Sequence, residues 1–505
     1  MSFDAVIIGG GINGLVAASV LARGGKKVCL LEQSGHLGGL AAPGPDGGAR
    51  MAHLLYNLSP LVRREIGMDA HKWPFKLTPV STVALNPDGP HVVIRGQKAQ
   101  LADGSAHPEA EAYRQLNGQL IRYADILRGL AEGGPLGIEG RLSSISGLKE
   151  LWRLGRIGRK LKRIDKSEMR RFLQMLLSNA YDLILDDLKD GPLAGMMAAD
   201  AVRGGFAGPR SPGTVFSLIY RMGHGGEVTW PEGGMGAVVT AFEGAAQKAG
   251  VDIRLNAGVA RILLAGDRVR AVETTGGDVI ETKTVLSSTG ALRTAHMAGV
   301  DAFDIEAARR LRNIRVKGTV AKINLTLTKP VSVAGLTDDM CPARLVLAPT
   351  AEYVERAFNP AKYRQMSEAP VIEALRIDAQ TFSLMVQYAP VDLDGGWTDA
   401  AKDKLRAVTL SALAPYLPGL EDAVAQAEVI TPDQIEAETG APGGHWHHAE
   451  MALDQLLTLR PANGMGRYAM GPEGLYLCGA GAHPGGDLMG LAGRNAARAA
   501  LEVGK

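Results

Sequence analysis

Two residue patterns in this chain could do chemistry. Gly9, Gly11 and Gly14 form G-x-G-x-x-G, and Glu32 follows eighteen residues after the last of them. The first glycine suits a tight turn, the second leaves the backbone open to a pyrophosphate, and the third lets a helix lie close on a strand. The helix amides and dipole then face the phosphate, and Glu32 can accept hydrogen bonds from an adenosine ribose. Near the other end, His445, Trp446, His447, His448 and Glu450 fall within six residues of a chain that holds eleven histidines. An imidazole with an ordinary pKa near 6.5 exchanges protons at neutral pH, typically for a ~10²–10⁴-fold gain in rate. His448, oriented by Glu450, is the candidate proton acceptor. In the competing reading the two side chains pair with each other or with Arg460 as a structural pin. A metal site is the poorer reading, because these histidines form neither an i, i+4 helical pair nor a zinc spacing.

The elements that must position these groups follow from periodicity. Residues 6–8 and 28–31 are apolar runs that read as buried parallel strands. A helix from about 12 to 23 lies between them, with Ile12 and Asn13 in its first turn and Gly24-Gly25 ending it. Strand, helix, strand and acid fall in order within the ~30 residues of a dinucleotide-binding unit. Mid-chain, the pattern predicts a helix over 237–249, a strand over 251–255, a short meander (259–264, 269–274) and a last apolar strand at 284–288. A third unit closes the chain: a strand at 475–478, a turn rich in glycine from Gly479 through Gly481 to Asp487, Leu488 and Met489, and a helix over 491–502. Its amides again aim at a ligand. Between these units lie strand-like pieces at 80–85 and 91–95, split by Asn86-Pro87-Asp88-Gly89. A helix is predicted over 109–130, strands over 320–327 and 381–388, and a helix over 400–416; Gln387 and Tyr388 close a strand. The fold class is therefore α/β, α+β overall: a Rossmann-type domain with a second domain inserted.

Composition bounds the function. At 505 residues two domains are expected. Net charge is +2, which gives nothing global to attract nucleic acid. The 64 glycines suit many tight turns beside a cofactor. Cys29, Cys341 and Cys478 share no metal-ligand spacing, and an odd, sparse set suits a reducing cytosol. The first strand begins at about residue 4, which leaves no room for a signal peptide, and no apolar run reaches the ~18–20 residues of a membrane span. The expected location is cytoplasmic. Residues 147–172 stand apart: ten Lys or Arg against Glu150, Asp165 and Glu168, with Leu154, Ile157, Leu161 and Ile164 at helical spacing. Such a helix either lies on an anionic membrane surface or presents a solvated face.

Taken together, Gly9 to Gly14, Glu32 with Gly38-Gly39, Gly208-Pro209 with Ser211 to Thr214, Pro231 to Gly236, Gly443-Gly444 with His448 and Glu450, and Gly479 to Gly490 resemble the phytoene-desaturase-related flavoproteins of the amine-oxidase superfamily. The pattern is most similar to the branch named for a pyridine nucleotide-disulphide oxidoreductase domain, although no Cys-x-x-Cys occurs here. The resemblance implies non-covalent FAD held by a domain assembled from 1–70, 205–300 and 440–505. It implies a substrate domain built from 71–204 and 301–439. It implies that Gly38-Gly39 bring the next loop against the pyrophosphate, with Leu40 where a basic residue often stands. Gln33, Val259 and the C-terminal turn would complete the cofactor contacts, Val259 through its backbone at the adenine. The substrate side of the flavin would be bordered by Gln387, Tyr388, Trp446 and His483, with Tyr388 a further catalytic candidate. His53 would lie near the ring or be a loop histidine satisfied by backbone. The implied reaction moves a hydride from a mostly apolar small molecule to flavin, with oxygen, a quinone or another acceptor reoxidising it. The alternatives are a non-redox flavin-dependent isomerase and a flavin-free, prenyl- or lipid-binding escort protein of the GDP-dissociation-inhibitor kind. Gly14, Glu32 and the C-terminal turn favour the flavin.

Overall fold

The computed structural model describes residues 2–44, 48–69, 73–135, 155, 158–159, 162, 165–223, 225–337, 340–487 and 490–503. The first two apolar runs become β1 (Ala5–Ile8) and β2 (Val28–Leu31), buried at every position, with α1 (Ile12–Arg23) between them. β1 pairs in parallel with β2 on one side and with Val285–Ser287 on the other. Leu475–Leu477 and Asp252–Arg254 extend these edges into a five-stranded parallel sheet. Strands covered on both faces are apolar throughout, which is why these runs do not alternate. α1 packs on the helices Gly234–Lys248 and Leu491–Val503. The strands Val259–Ala265, Arg268–Thr274 and Val279–Glu281 form a separate antiparallel meander.

A second, eight-stranded mixed sheet runs in the order Val424–Ile430, Val320–Leu327, Thr381–Gln387, Ile372–Arg376, Ala343–Leu347, Ser81–Ala84, Val92–Arg95, Lys98–Leu101. One core joins it to the helices Ala110–Ala131, Pro192–Val202, Thr214–Arg221 and Ala351–Lys362; another includes Leu405 and Leu413 of the helix Asp399–Leu413. The helix Thr214–Arg221 packs its Val215, Leu218 and Ile219 in the first of these cores, away from the parallel sheet. The strand expected over 80–85 is observed as Ser81–Ala84, preceded by a separate short strand at Leu77–Pro79. Pro79 has no amide to give a ladder. The chain leaves a small ribbon (Leu77–Pro79 with Thr229–Pro231) there and joins the large sheet at Ser81–Ala84. Most of the basic segment 147–172 lies outside the described residues. Its end is the helix Lys166–Leu177, whose N-cap Asp165 accepts from the amides of Ser167 and Glu168. Among the described residues no helix is long and apolar enough to cross a membrane.

Candidate functional site: a glycine cradle and a buried ionic hub

The three motif glycines do three different things. Gly9 sits at φ +96°, and a Cβ there would stand 2.5 Å from Ser288 Oγ. A Cβ on Gly14 would stand 2.0 Å from the Gly9 carbonyl oxygen, so this glycine sets the closeness of α1 to β1. A Cβ on Gly11 would meet nothing within 4 Å, because Gly11 faces open space. Gly38 donates its amide to Gly10 O at 2.9 Å, and Gly39 abuts Gly11. Glu32 is 8% exposed; its Oε2 accepts from the Gly10 amide at 2.6 Å, and its Oε1 accepts from Ser34 N and Oγ, both at 2.9 Å.

A cavity opens in front of this turn. Gly9, Gly11, Ile12 and Asn13 line it from the first turn, Glu32 from the end of β2, Gly38, Gly39 and Leu40 from the following loop, and Gly479 and Asp487 from the C-terminal turn. Among the described residues, Gly14, Gln33, Val259 and Gly481 do not line it. Gly14 serves helix packing, Gln33 holds Glu438 O (3.1 Å) and Arg293 (3.0 Å), Val259 pairs with Thr274 in the meander, and Gly481 backs onto His448. Leu488 and Met489 lie outside the described residues.

The far end of the cavity is bordered by Tyr56, Arg203, Met385 and Trp446. Arg203 lies over the Tyr56 ring at 4.9 Å and the Trp446 ring at 5.1 Å. Gly204 must be glycine here, since a Cβ would stand 2.0 Å from the Trp446 ring. Behind this wall Glu373 accepts from Arg203 Nη2 and Arg344 Nη2, each at 2.8 Å, while its Oε1 is 2.9 Å from His53 Nε2. Asp200 pairs with Arg221 and Arg344. Burial would raise the Glu373 pKa, but the Arg203 and Arg344 guanidiniums hold it well below the usual carboxylate range. Lys322 Nζ is 3.0 Å from Met51 O and 2.9 Å from His53 Nδ1, and burial pushes its pKa well below the usual lysine value. His53 is thus neither beside the cavity nor a backbone-satisfied loop residue. It bridges Lys322 and Glu373, and burial lowers its pKa to about 3.

The histidine segment is built differently from the pairing expected. His448 faces the cavity at φ +55°, with its Nδ1 buried and without a partner. Burial, helped by Arg460, lowers its pKa to about 4, so it is a neutral and weak base rather than an ordinary imidazole. Glu450 does not orient it: the Glu450 carboxylate turns to Arg315 at 3.4 Å. His447 Nδ1 accepts from the Gly486 amide at 3.1 Å and His445 Nδ1 from the His447 amide at 3.0 Å. Arg460 is the pin, but through backbone. Its Nη2 donates to the carbonyls of His447 (2.6 Å) and Ala480 (2.9 Å), which ties this segment to the C-terminal turn.

Three other candidates sit elsewhere. Tyr388 donates to Ala207 O at 2.9 Å and packs its ring on Phe358, inside a core rather than at the cavity. Gln387 accepts from Gly204 N (2.9 Å) and donates to Val202 O (2.6 Å), which anchors the segment carrying Arg203. His483 Nε2 is 3.0 Å from Leu130 O and borders a separate apolar cavity with Ile219 and Leu456. Sequence reading missed Arg203, Glu373 and Lys322. Arg203 stands before Gly204-Gly205 with no local motif around it, and Glu373 and Lys322 sit in strands with none either. Among the described residues no group of His, Cys, Asp and Glu is arranged to hold a metal.

A phosphate cradle, a buried carboxylate at the end of the second strand and a cavity reaching an aromatic wall define a flavin site on a Rossmann-type frame. The chain belongs to the flavin-containing amine oxidoreductase family, whose model matches residues 12–501. It is a flavoprotein oxidoreductase with FAD as cofactor. A rat protein named pyridine nucleotide-disulfide oxidoreductase domain-containing protein 2 is 27% identical over 548 residues, which covers 98% of this chain and 92% of the relative. A lycopene-forming phytoene desaturase from Pseudescherichia vulneris is 24% identical over 305 residues, 58% of this chain and 60% of that one. In fold, the chain resembles a putrescine oxidase solved with putrescine (TM-score 0.59, 16% identity, covering 100% of this chain and 99% of the other).

Proposed function

We propose that the protein is an FAD-dependent dehydrogenase or oxidase, desaturase-like, that takes a hydride from a mostly apolar small molecule held at the Tyr56, Met385 and Trp446 end of the cavity. The observation that carries this reading is the continuity of one cavity from the Gly11 cradle to that wall. Bound FAD would accept the hydride and pass its electrons to oxygen, a quinone or another acceptor. The chain supplies the rest. Amides at the start of α1 hold phosphate, and Glu32 holds the ribose. Tyr56 and Trp446 exclude water and stack an apolar substrate, and Arg203, fixed by Glu373, keeps their rings in place. His448 presents an unpartnered Nδ1 that can accept a proton as hydride leaves. The division into a discontinuous cofactor domain and an inserted substrate domain belongs to the same proposal. So does docking of the basic residues 147–172 on an anionic membrane that stores apolar substrate; co-sedimentation with anionic liposomes at low salt tests that part.

The main test is an anaerobic panel of polyenes, long-chain acids and amines, read by bleaching of the flavin band near ~450 nm. One class should bleach it, and His448→Ala should keep the spectrum while slowing bleaching about tenfold or more. Turnover without any bleaching would identify an isomerase instead. Loss of flavin from His448→Ala would move that residue to the cofactor cradle.

A further inference from the structure

Among the described residues that line the cofactor cavity, the Lys and Arg side chains are Arg50 and Arg203. Arg203 is committed to Glu373 at 2.8 Å, with Asp487 at 3.8 Å. Position 40, after the Gly38-Gly39 pair, is leucine. A diphosphate in the cradle would bring about two negative charges, and helix amides alone offset them only in part. Arg50 stands beside that gap. The chain doubles back after residue 40: Ala52 donates its amide to Leu40 O at 3.1 Å, and Pro43 bridges to Ala49. The Arg50 side chain is 12% exposed, and its Nε is buried without a hydrogen-bond partner. Its Nη1 pairs with Glu438, a carboxylate that is 38% exposed and also lines the cavity. Glu438 is in turn held by Gln434 at 2.9 Å, and its carbonyl by Gln33 at 3.1 Å.

We propose that Arg50 is the cation for the FAD diphosphate, held by Glu438 until cofactor arrives and then turned to the phosphate oxygens. A guanidinium makes forked, charge-assisted bonds to phosphate, and Glu438 competes for it. The two residues therefore act in opposite directions. The inference rests on the flavin reading of the cavity. The experiment strips the full chain of flavin and titrates FAD and riboflavin, which lacks phosphate, by fluorescence, with circular dichroism to check folding. Arg50→Ala should raise the FAD dissociation constant about tenfold or more, the scale of one charge-assisted contact, and leave riboflavin within about twofold of the native value. Glu438→Gln should tighten FAD by about threefold. If Arg50→Ala does not fold, Arg50→Gln, which keeps much of the apolar stem, carries the same expectation. FAD affinity within about twofold of native in the Arg50 variants overturns the assignment. So does equal weakening of FAD and riboflavin, and so does Glu438→Gln weakening FAD as Arg50→Ala does; each would make the ion pair a structural brace. Native protein that binds neither flavin would instead refute the flavin reading itself.

Discussion

Glu32 already holds three protein donors: the Gly10 amide, the Ser34 amide and the Ser34 hydroxyl. Its substitution therefore loosens the turn as well as removing a ribose ligand. Glu32→Ala should weaken FAD binding by about 1.5–3 kcal/mol, the scale of lost charge-assisted hydrogen bonds, measured by titrating stripped protein with FAD. Unchanged affinity would place the ribose elsewhere. The buried histidines make a second prediction. His53, His445 and His448 have pKa values lowered by burial to about 3, 3 and 4. The folded state keeps them neutral, while the unfolded chain takes up protons below about pH 6.5. Stability is therefore full above pH 6.5 and falls as pH drops toward 4, by roughly 2 kcal/mol per histidine at pH 5. Urea unfolding at pH 7 and pH 5 checks the slope, and it should shrink in His445→Gln. At this scale the glycines and Glu32 were legible because backbone geometry restricts which residue can stand there. The absence of a carboxylate partner at His448 Nδ1 was not. Spacing of two residues does not say which way a carboxylate points, and Glu450 points at Arg315.

The contact between α1 and β1 turns on Gly14. A Cβ there would stand 2.0 Å from a backbone oxygen, which cannot swing aside as a flexible side chain can. Gly14→Ala should push the helix off the strand, lower the melting temperature and lose flavin on gel filtration; overpacking of this kind costs about 1–3 kcal/mol or more. Retained flavin with native melting would show that the helix can shift. The expected and observed bounds of most long elements agree closely, as for 12–23, 28–31 and 320–327, because each has one unbroken hydrophobic period. The run 80–85 gives the strand Ser81–Ala84, but an apolar stretch says nothing about which sheet its residues join, and Leu77–Pro79 just before it pairs in a separate ribbon. The strands Ala343–Leu347 and Ile372–Arg376 passed unremarked although buried throughout, since each carries an Arg or a Glu that only a remote ion pair makes tolerable in a core.

Glu373 is the junction of that remote pairing. It gathers His53 from the first loop, Arg203 from the end of the helix Pro192–Val202 and Arg344 from the neighbouring strand. Glu373→Ala would leave two buried guanidiniums facing each other and should destabilise the protein by about 3–5 kcal/mol, with Glu373→Gln milder; denaturant titration of both variants decides. A loss below about 1 kcal/mol would show that water or Asp200 replaces the carboxylate. No sequence pattern announces a pair separated by 320 residues, whereas the glycine cradle is local and announces itself. The parallel sheet has a related property. Its central strand β1 (Ala5–Ile8) is made long before its edge strand Leu475–Leu477. At the ~5–20 residues per second of a ribosome, the first cofactor turn waits roughly half a minute or longer for the strand and turn that close its cavity. During that time the edge of the strand Val285–Ser287 that pairs with Leu475–Leu477 has no partner. The cavity is therefore complete only once the strand Leu475–Leu477 and the turn carrying Gly479 and Asp487 have been made, and FAD is expected to load no earlier than that.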